Sequence, residues 1–129
     1  LGTFLMSREA IKMMMKKSFG RIINFGSMAI KHEVKGEAIY TASKAAIVSL
    51  TRVIAKEVYG YGITCNVISP AAIDTDLMKN IDNNALNEVL SRNAIPHRGR
   101  LEDVSNAIDS LINSESNSIT GQTIYLGGA

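Results

Sequence analysis

Hydrophobic positions along the chain switch between helical and strand-like spacing. Over residues 3–17 a stripe of Phe4, Ile11 and Met15 recurs at helical spacing, which predicts an amphipathic helix. Residues 21–25 then form a short run rich in β-branched and aromatic side chains, and a Gly-Ser pair closes it. Such a run predicts a buried strand.

The remaining elements repeat this alternation. Small and aliphatic positions predict a long helix over 38–58, and a β-rich run predicts a strand over 63–68. A short helix is expected over 83–92, another helix over 102–113 and a last strand over 123–126. Helices alternating with strands predict an α/β fold whose parallel sheet has right-handed crossovers. Because three strands make a small sheet, we expect the chain to be part of a larger domain.

Composition and charge argue against several classes of protein. A hydrophobic fraction of 46% and a charged fraction of 20% are typical of globular domains. The net charge of +2 is small and scattered, and no apolar run approaches the ~20 residues of a bilayer span, so we expect neither nucleic-acid nor membrane binding. A single cysteine, Cys65, and a start without a signal pattern indicate a cytoplasmic protein.

Tyr40 and Lys44 are the first candidates for chemistry. They lie four residues apart on the predicted long helix and therefore share a face. A fixed ammonium favours the ionised form of a nearby phenol, so such a pair can exchange a proton with a carbonyl/alcohol couple. The spacing alone is more typical of a solvated helix surface. Ser27 favours the catalytic interpretation of this pair, because it follows the first strand at the edge where open α/β sheets have their active sites.

Several motifs occur in a fixed order around these residues. Ser27 precedes Tyr40 by thirteen residues, and after the helix come Gly-Ile-Thr-Cys-Asn-Val-Ile-Ser-Pro at 62–70, Ile-Asp-Thr-Asp at 73–76 and Ile-Thr-Gly-Gln-Thr at 119–123. With this order the chain resembles the short-chain dehydrogenase/reductase family over essentially its whole length. Within the family it is most similar to the 3-oxoacyl-acyl-carrier-protein reductases of fatty acid biosynthesis.

The resemblance implies a role for each matching residue. Ser27 corresponds to the serine that hydrogen-bonds the substrate oxygen, and Tyr40 to the general acid of reduction or base of oxidation. Lys44 corresponds to the lysine that supports this tyrosine and binds the nicotinamide ribose. The implied cofactor-binding positions are Tyr40, Lys44, Pro70, Ala71, Ile73 and Thr75. The implied substrate-binding positions are Ser27, Ala29, Glu37 and Leu77.

The resemblance also implies a doubly wound, Rossmann-like sheet, of which this chain supplies the last three strands. Residues 1–129 are then expected to be the C-terminal catalytic half of one domain, without the N-terminal dinucleotide-binding half. The cofactor is expected to be NADP or NAD, residues 76–98 a substrate lid, and the protein a homo-oligomer, either a dimer or a tetramer. The substrate is expected to be small or bound to an acyl carrier, and we expect the 129 residues alone to be inactive.

Some residues depart from the family pattern or stay outside the site. Ala71 stands where the family usually has Gly, Gly127 where it usually has Asp, and Ile39 where the acyl-carrier reductases often have Asn. No metal site is expected, because His32 and His97 lack ligand spacing and are interpreted as solvated loop histidines.

Two other functions stay open. A sugar-nucleotide epimerase or dehydratase shares the Tyr/Lys pair, although such enzymes usually carry a larger C-terminal substrate domain. A non-catalytic member that only supports an oligomer is the second alternative. The Ser27, Tyr40 and Lys44 set favours an oxidoreductase over both.

Overall fold

The structure is a computed structural model that describes residues 1–73 and 82–128. Within them the elements follow the order α1 (Gly2–Met15), β1 (Gly20–Phe25), α2 (Ala29–His32), α3 (Ala38–Val58), β2 (Ile63–Ser69), α4 (Asn83–Leu90), α5 (Leu101–Ile112) and β3 (Thr123–Tyr125). A 3-10 turn, Tyr59–Tyr61, links α3 to β2. The predicted alternation of helices and strands is confirmed.

The strands form one parallel sheet in the order β1-β2-β3. The β1–β2 register runs from Gly20 opposite Ile63 to Phe25 opposite Ile68. The central strand β2 is buried along its whole length, which fits its nearly continuous apolar sequence. Parallel neighbours need a crossover connection, and α3 provides it between β1 and β2. The predicted parallel α/β sheet is therefore confirmed.

Helices α1 and α3 cover one face of this sheet. The core there consists of the buried side chains of Ile22, Ile54, Ala55, Val58, Ile63 and Cys65, against which Ile11, Met14, Met15 and Leu50 pack. Ile11 and Met15 thus lie on the buried stripe that the periodicity predicts. Phe4 does not, because its side chain is 45% exposed and Ser7 takes the closely packed position in that part of α1.

The other face of the sheet carries α5. Successive strand residues point to opposite faces, so Arg21 projects away from the core that Ile22 joins. The guanidinium of Arg21 reaches the chain just after α5, where it donates to the carbonyl oxygens of Asn113 (3.4 Å) and Ser114 (3.0 Å) and to Oδ1 of Asn117 (2.7 Å). Arg21 therefore connects the start of β1 to the end of α5.

The stretch Ala38–Tyr61, which contains α3, has a mean hydropathy of 1.2 over its most apolar part. By length and composition alone it is the one helix in the described part of the chain that could cross a membrane. A helix that packs on a sheet passes the same test, and α3 buries Val48, Ile54 and Val58. The apolar length of this helix is therefore weak support for membrane insertion.

The segment after α4 brings the ends of β2 and β3 together. The N–H groups of Ala94 and Ile95 donate to the carbonyl oxygens of Gly128 (3.2 Å) and Gly127 (2.8 Å). A few residues later the N–H of Gly99 donates to the carbonyl oxygen of Ala72 at 2.9 Å. The segment after α4 thereby contacts the residues that follow β2 and β3 at the carboxyl edge of the sheet.

Candidate active site

The Tyr40–Lys44 pair lies where α3 passes the end of β1. Nζ of Lys44 donates a 3.2 Å hydrogen bond to the carbonyl oxygen of Phe25, the last residue of β1. The same Nζ lies 5.8 Å from the centre of the Tyr40 ring, at the outer limit of cation–π attraction. The Tyr40 side chain is 47% exposed, so a substrate can reach it. The pair predicted from helical spacing therefore faces the carboxyl edge of the sheet.

Ser27 starts the turn that follows β1. Its Oγ accepts a hydrogen bond from the N–H of Ala29 at 3.1 Å. Because a hydroxyl can accept and donate at once, this contact orients the oxygen and leaves its hydrogen to donate to a substrate oxygen. Ser27 is half-buried and lies two residues beyond Phe25, whose carbonyl binds Lys44. Ser27 and Lys44 thus both lie at the end of β1, and Tyr40 lies beside Lys44.

Gly26 allows the Ser27 turn to approach β2. Its N–H donates to the carbonyl oxygen of Ile68 at 2.9 Å, which extends the ladder of the sheet by one residue. A Cβ at Gly26 would clash with Oγ of Ser69 and would lie 2.9 Å from Cγ1 of Val67. A residue without a side chain is therefore required here if Ser27 is to sit against the end of β2.

The predicted cofactor loop follows β2 directly. Pro70, Ala71 and Ile73 line a cavity of about 540 Å³ together with Leu126 and Gly127 from the end of β3. This volume is within the range of small-molecule sites, but Ser27, Tyr40 and Lys44 do not line the cavity. Thr75, predicted for the cofactor, and Leu77, predicted for the substrate, lie outside the described residues.

Ala71 fits this loop without displacing it. The residue is buried, and the position that a Gly127 Cβ would occupy is 3.3 Å from its methyl group. The methyl group therefore packs against bare backbone, and Pro70, Ala71 and Ile73 still line the cavity at the end of β2. Because this lining is open and largely apolar, the loop residues present are compatible with the nicotinamide group that the resemblance implies.

The remaining predicted substrate positions differ in environment. Ala29 is buried, and its N–H already binds Ser27, so it contributes by shaping the turn. Glu37 is exposed at the residue before α3 and lies three positions from Tyr40 along the chain. Their role in substrate binding stays a prediction.

His32 was predicted to be a solvated loop histidine, and this is wrong. It is the last residue of α2, and its Nε2 lies 2.7 Å from Oδ1 of Asn93 in a partly buried contact. Asn93 is itself buried. No sequence signal points to this pair, because its members are 61 positions apart. His97 is exposed, as predicted, and its Nδ1 lies 3.0 Å from the carbonyl oxygen of Arg98.

Cys65 lies in the core rather than in the site. Its side chain is fully buried in β2, and burial raises the pKa of the thiol to about 11. A thiolate is therefore scarce at neutral pH, which excludes Cys65 as a nucleophile. Over residues 1–73 and 82–128 no group of three or more His, Cys, Asp or Glu side chains could hold a metal ion.

A parallel α/β sheet with a serine and a helical Tyr–Lys pair at its carboxyl edge is the arrangement that the resemblance to short-chain dehydrogenases/reductases implies. Residues 1–128 match the family described as Enoyl-(Acyl carrier protein) reductase. The chain belongs to the short-chain dehydrogenase/reductase family, as its motifs predict.

Three of its curated relatives are named 3-oxoacyl-acyl-carrier-protein reductases. The protein of Rickettsia felis is 36% identical over 125 residues, which cover 97% of this chain and 52% of the relative. The Rickettsia bellii protein is 39% identical over 127 residues (97% and 52%). The Escherichia coli K12 protein is 33% identical over 125 residues (97% and 51%). The chain thus spans about half the length of the curated relatives it matches, and the predicted similarity to these reductases is confirmed.

Proposed function

We propose that the protein containing this chain is an oxidoreductase that reduces a 3-oxoacyl thioester, carried on an acyl carrier protein, during fatty acid synthesis. The observation that carries the proposal is the hydrogen bond from Lys44 to the Phe25 carbonyl, which brings the Tyr40–Lys44 pair to the turn that begins at Ser27. The names of the relatives support the same substrate class.

In this proposal each residue has one task at the substrate oxygen. Ser27 donates a hydrogen bond to that oxygen and fixes its position. As the carbonyl becomes an alcohol, the O–H bond of Tyr40 breaks and its proton forms the O–H bond of the product. Lys44 stabilises the phenolate that remains, since an ammonium nearby favours the charged form. Solvent then returns a proton to Tyr40, whose ring is half-exposed.

The hydride is proposed to come from NADP or NAD. When bound, the reduced nicotinamide supplies the hydride that the carbonyl carbon receives. Lys44 would hold the ribose, and Pro70, Ala71 and Ile73 would hold the nicotinamide end, together with Thr75. The reaction is proposed to occur in the cytoplasm, with no nucleic acid and no metal.

The protein is also proposed to be a homo-oligomer, either a dimer or a tetramer. Apolar side chains are exposed on the outer faces of both α1 and α3, and large exposed apolar surfaces usually mark interfaces. They include Leu5, Met6, Met13, Ile39 and Val53. Sedimentation of the full-length protein tests this, and a monomer at micromolar concentration would contradict it.

The proposed reaction is tested by turnover of the full-length protein with matched thioesters. A 3-oxoacyl and a trans-2-enoyl thioester of the same chain length are each assayed with reduced NADP and NAD. We expect turnover of the 3-oxoacyl substrate. Reduction of the enoyl substrate alone would contradict the proposal and support the activity in the family's description. Conversion of a nucleotide sugar instead would favour the epimerase alternative, and no turnover of any substrate the non-catalytic one.

A further inference from the structure

We infer that His32 and Asn93 form a positioning pair that holds the Ser27 hydroxyl in place for the substrate oxygen. The inference rests on the proposed function, in which Ser27 binds that oxygen. It assigns a task to two residues that lie outside the predicted catalytic set. Three consecutive contacts carry it.

The first contact is between Ser27 and α2. Oγ of Ser27 accepts from the N–H of Ala29 at 3.1 Å, and the carbonyl oxygen of Ser27 accepts from the N–H of Ile30 at 3.3 Å. The direction of the Ser27 hydroxyl is therefore set by the orientation of α2. That helix has only four residues. A single turn is not stable by itself, so contacts with other parts of the fold must fix its orientation.

The second contact fixes the far end of α2. Because the amide oxygen of Asn93 can only accept, the 2.7 Å contact with His32 is a hydrogen bond donated by Nε2 of the imidazole. The same residue is held at its backbone, where the carbonyl oxygen of His32 accepts from Nη1 of Arg92 at 3.2 Å. The neighbouring residue adds a cation–π contact, since Nζ of Lys31 lies 5.0 Å from the centre of the Tyr125 ring.

The third set of contacts fixes the position of Asn93. Its side chain is only 7% exposed, and its N–H donates to the carbonyl oxygen of Leu90 at 3.0 Å, at the end of α4. The next two residues bind the carbonyl oxygens of Gly128 and Gly127, which follow β3. Asn93 is thus followed directly by residues that are bonded to the chain just after β3. The chain of contacts runs from β3 through Asn93 and His32 to α2 and Ser27.

The test uses the full-length protein and a 3-oxoacyl thioester. Asn93→Leu and His32→Leu each remove one partner at similar volume. Misplacing a reacting group by about an ångström can cost 10²-fold in rate, so we expect kcat to fall roughly tenfold to hundredfold with cofactor affinity unchanged. His32→Gln should recover most of the rate, because its amide N–H can donate from near the Nε2 position. Asn106→Leu, at an exposed position of α5, is the matched control and should keep wild-type turnover.

A double-mutant cycle separates positioning from a general effect on the fold. If the pair acts through the hydroxyl, adding Asn93→Leu to Ser27→Ala should lower kcat no further. Multiplicative losses in the double variant would overturn the inference while leaving the proposed function intact. Wild-type turnover of Ser27→Ala would instead overturn the proposed role of Ser27 and the inference with it. The same cycle is run with His32→Leu in case Asn93→Leu does not fold. Full activity in both His32→Leu and a folded Asn93→Leu would also overturn the inference.

Discussion

The methyl group of Ala71 packs against the bare backbone of Gly127, where an added Cβ would lie only 3.3 Å from it. Each of these positions departs from the family pattern, Ala71 by gaining a methyl group and Gly127 by losing a side chain. The two departures meet in one contact between the loop after β2 and the end of β3. The larger residue on one side is therefore accommodated by the smaller residue on the other.

The first prediction is that Gly127→Asp destabilises the fold. Gly127 has φ +98°, a conformation that side-chain-bearing residues rarely adopt, and the new Cβ would also press on Ala71. Backbone strain of this kind and overpacking each cost about 1–3 kcal/mol. Urea denaturation measures the loss. Adding Ala71→Gly should recover the packing part only, and equal stability of Gly127→Asp and wild type would contradict the contact.

A second prediction concerns Arg21, which joins β1 to the end of α5. Arg21→Met keeps the aliphatic stem and removes the hydrogen bonds to Asn113, Ser114 and Asn117. Because these groups are partly solvated, we expect a loss of about 1–2 kcal/mol, toward the lower end for charged hydrogen bonds. Hydrogen exchange in the last turn of α5 should accelerate with it. Arg52→Met, on the exposed side of α3, should change neither quantity.

The third prediction is that the stability of the fold depends on pH because of Cys65. Burial raises the pKa of this thiol from 9.0 to about 11 in the folded protein. The unfolded chain then loses the proton first as pH rises, so stabilisation that is complete below pH 9 is lost progressively between pH 9 and 11. The stability difference between wild type and Cys65→Ala should shrink over that interval. A difference independent of pH, or rapid alkylation of native Cys65 at pH 8, would refute this.

The long elements of the fold could be predicted from the sequence because each carries its own periodic pattern. The predicted helix over 38–58 coincides with α3, Ala38–Val58. The buried strand β2 was predicted to within one residue, since its apolar run is bounded by a glycine and a proline. The Tyr40–Lys44 face follows from helix geometry, and the end of β1 from strand geometry. The catalytic roles of these residues came from the family resemblance and stay predictions.

What could not be predicted depends on contacts between distant segments. Helix α2, Ala29–His32, is too short for any periodicity to show, and its orientation depends on Asn93, 61 residues later. For the same reason His32 resembles a loop histidine in the sequence. The contact between Ala71 and Gly127 also joins segments far apart in the chain, so each departure could be recognised singly but their relationship could not.

The most direct test of the central claim, that Tyr40 donates the proton at this site, is the turnover of a full-length Tyr40→Phe variant. Phenylalanine keeps the ring and removes only the acid, so kcat for a 3-oxoacyl thioester should fall by the ~10²–10⁴ typical of a general acid. Cofactor affinity should stay nearly unchanged. Tyr61→Phe, in the exposed turn before β2, is the control and should retain full activity. Wild-type turnover by Tyr40→Phe would contradict the account.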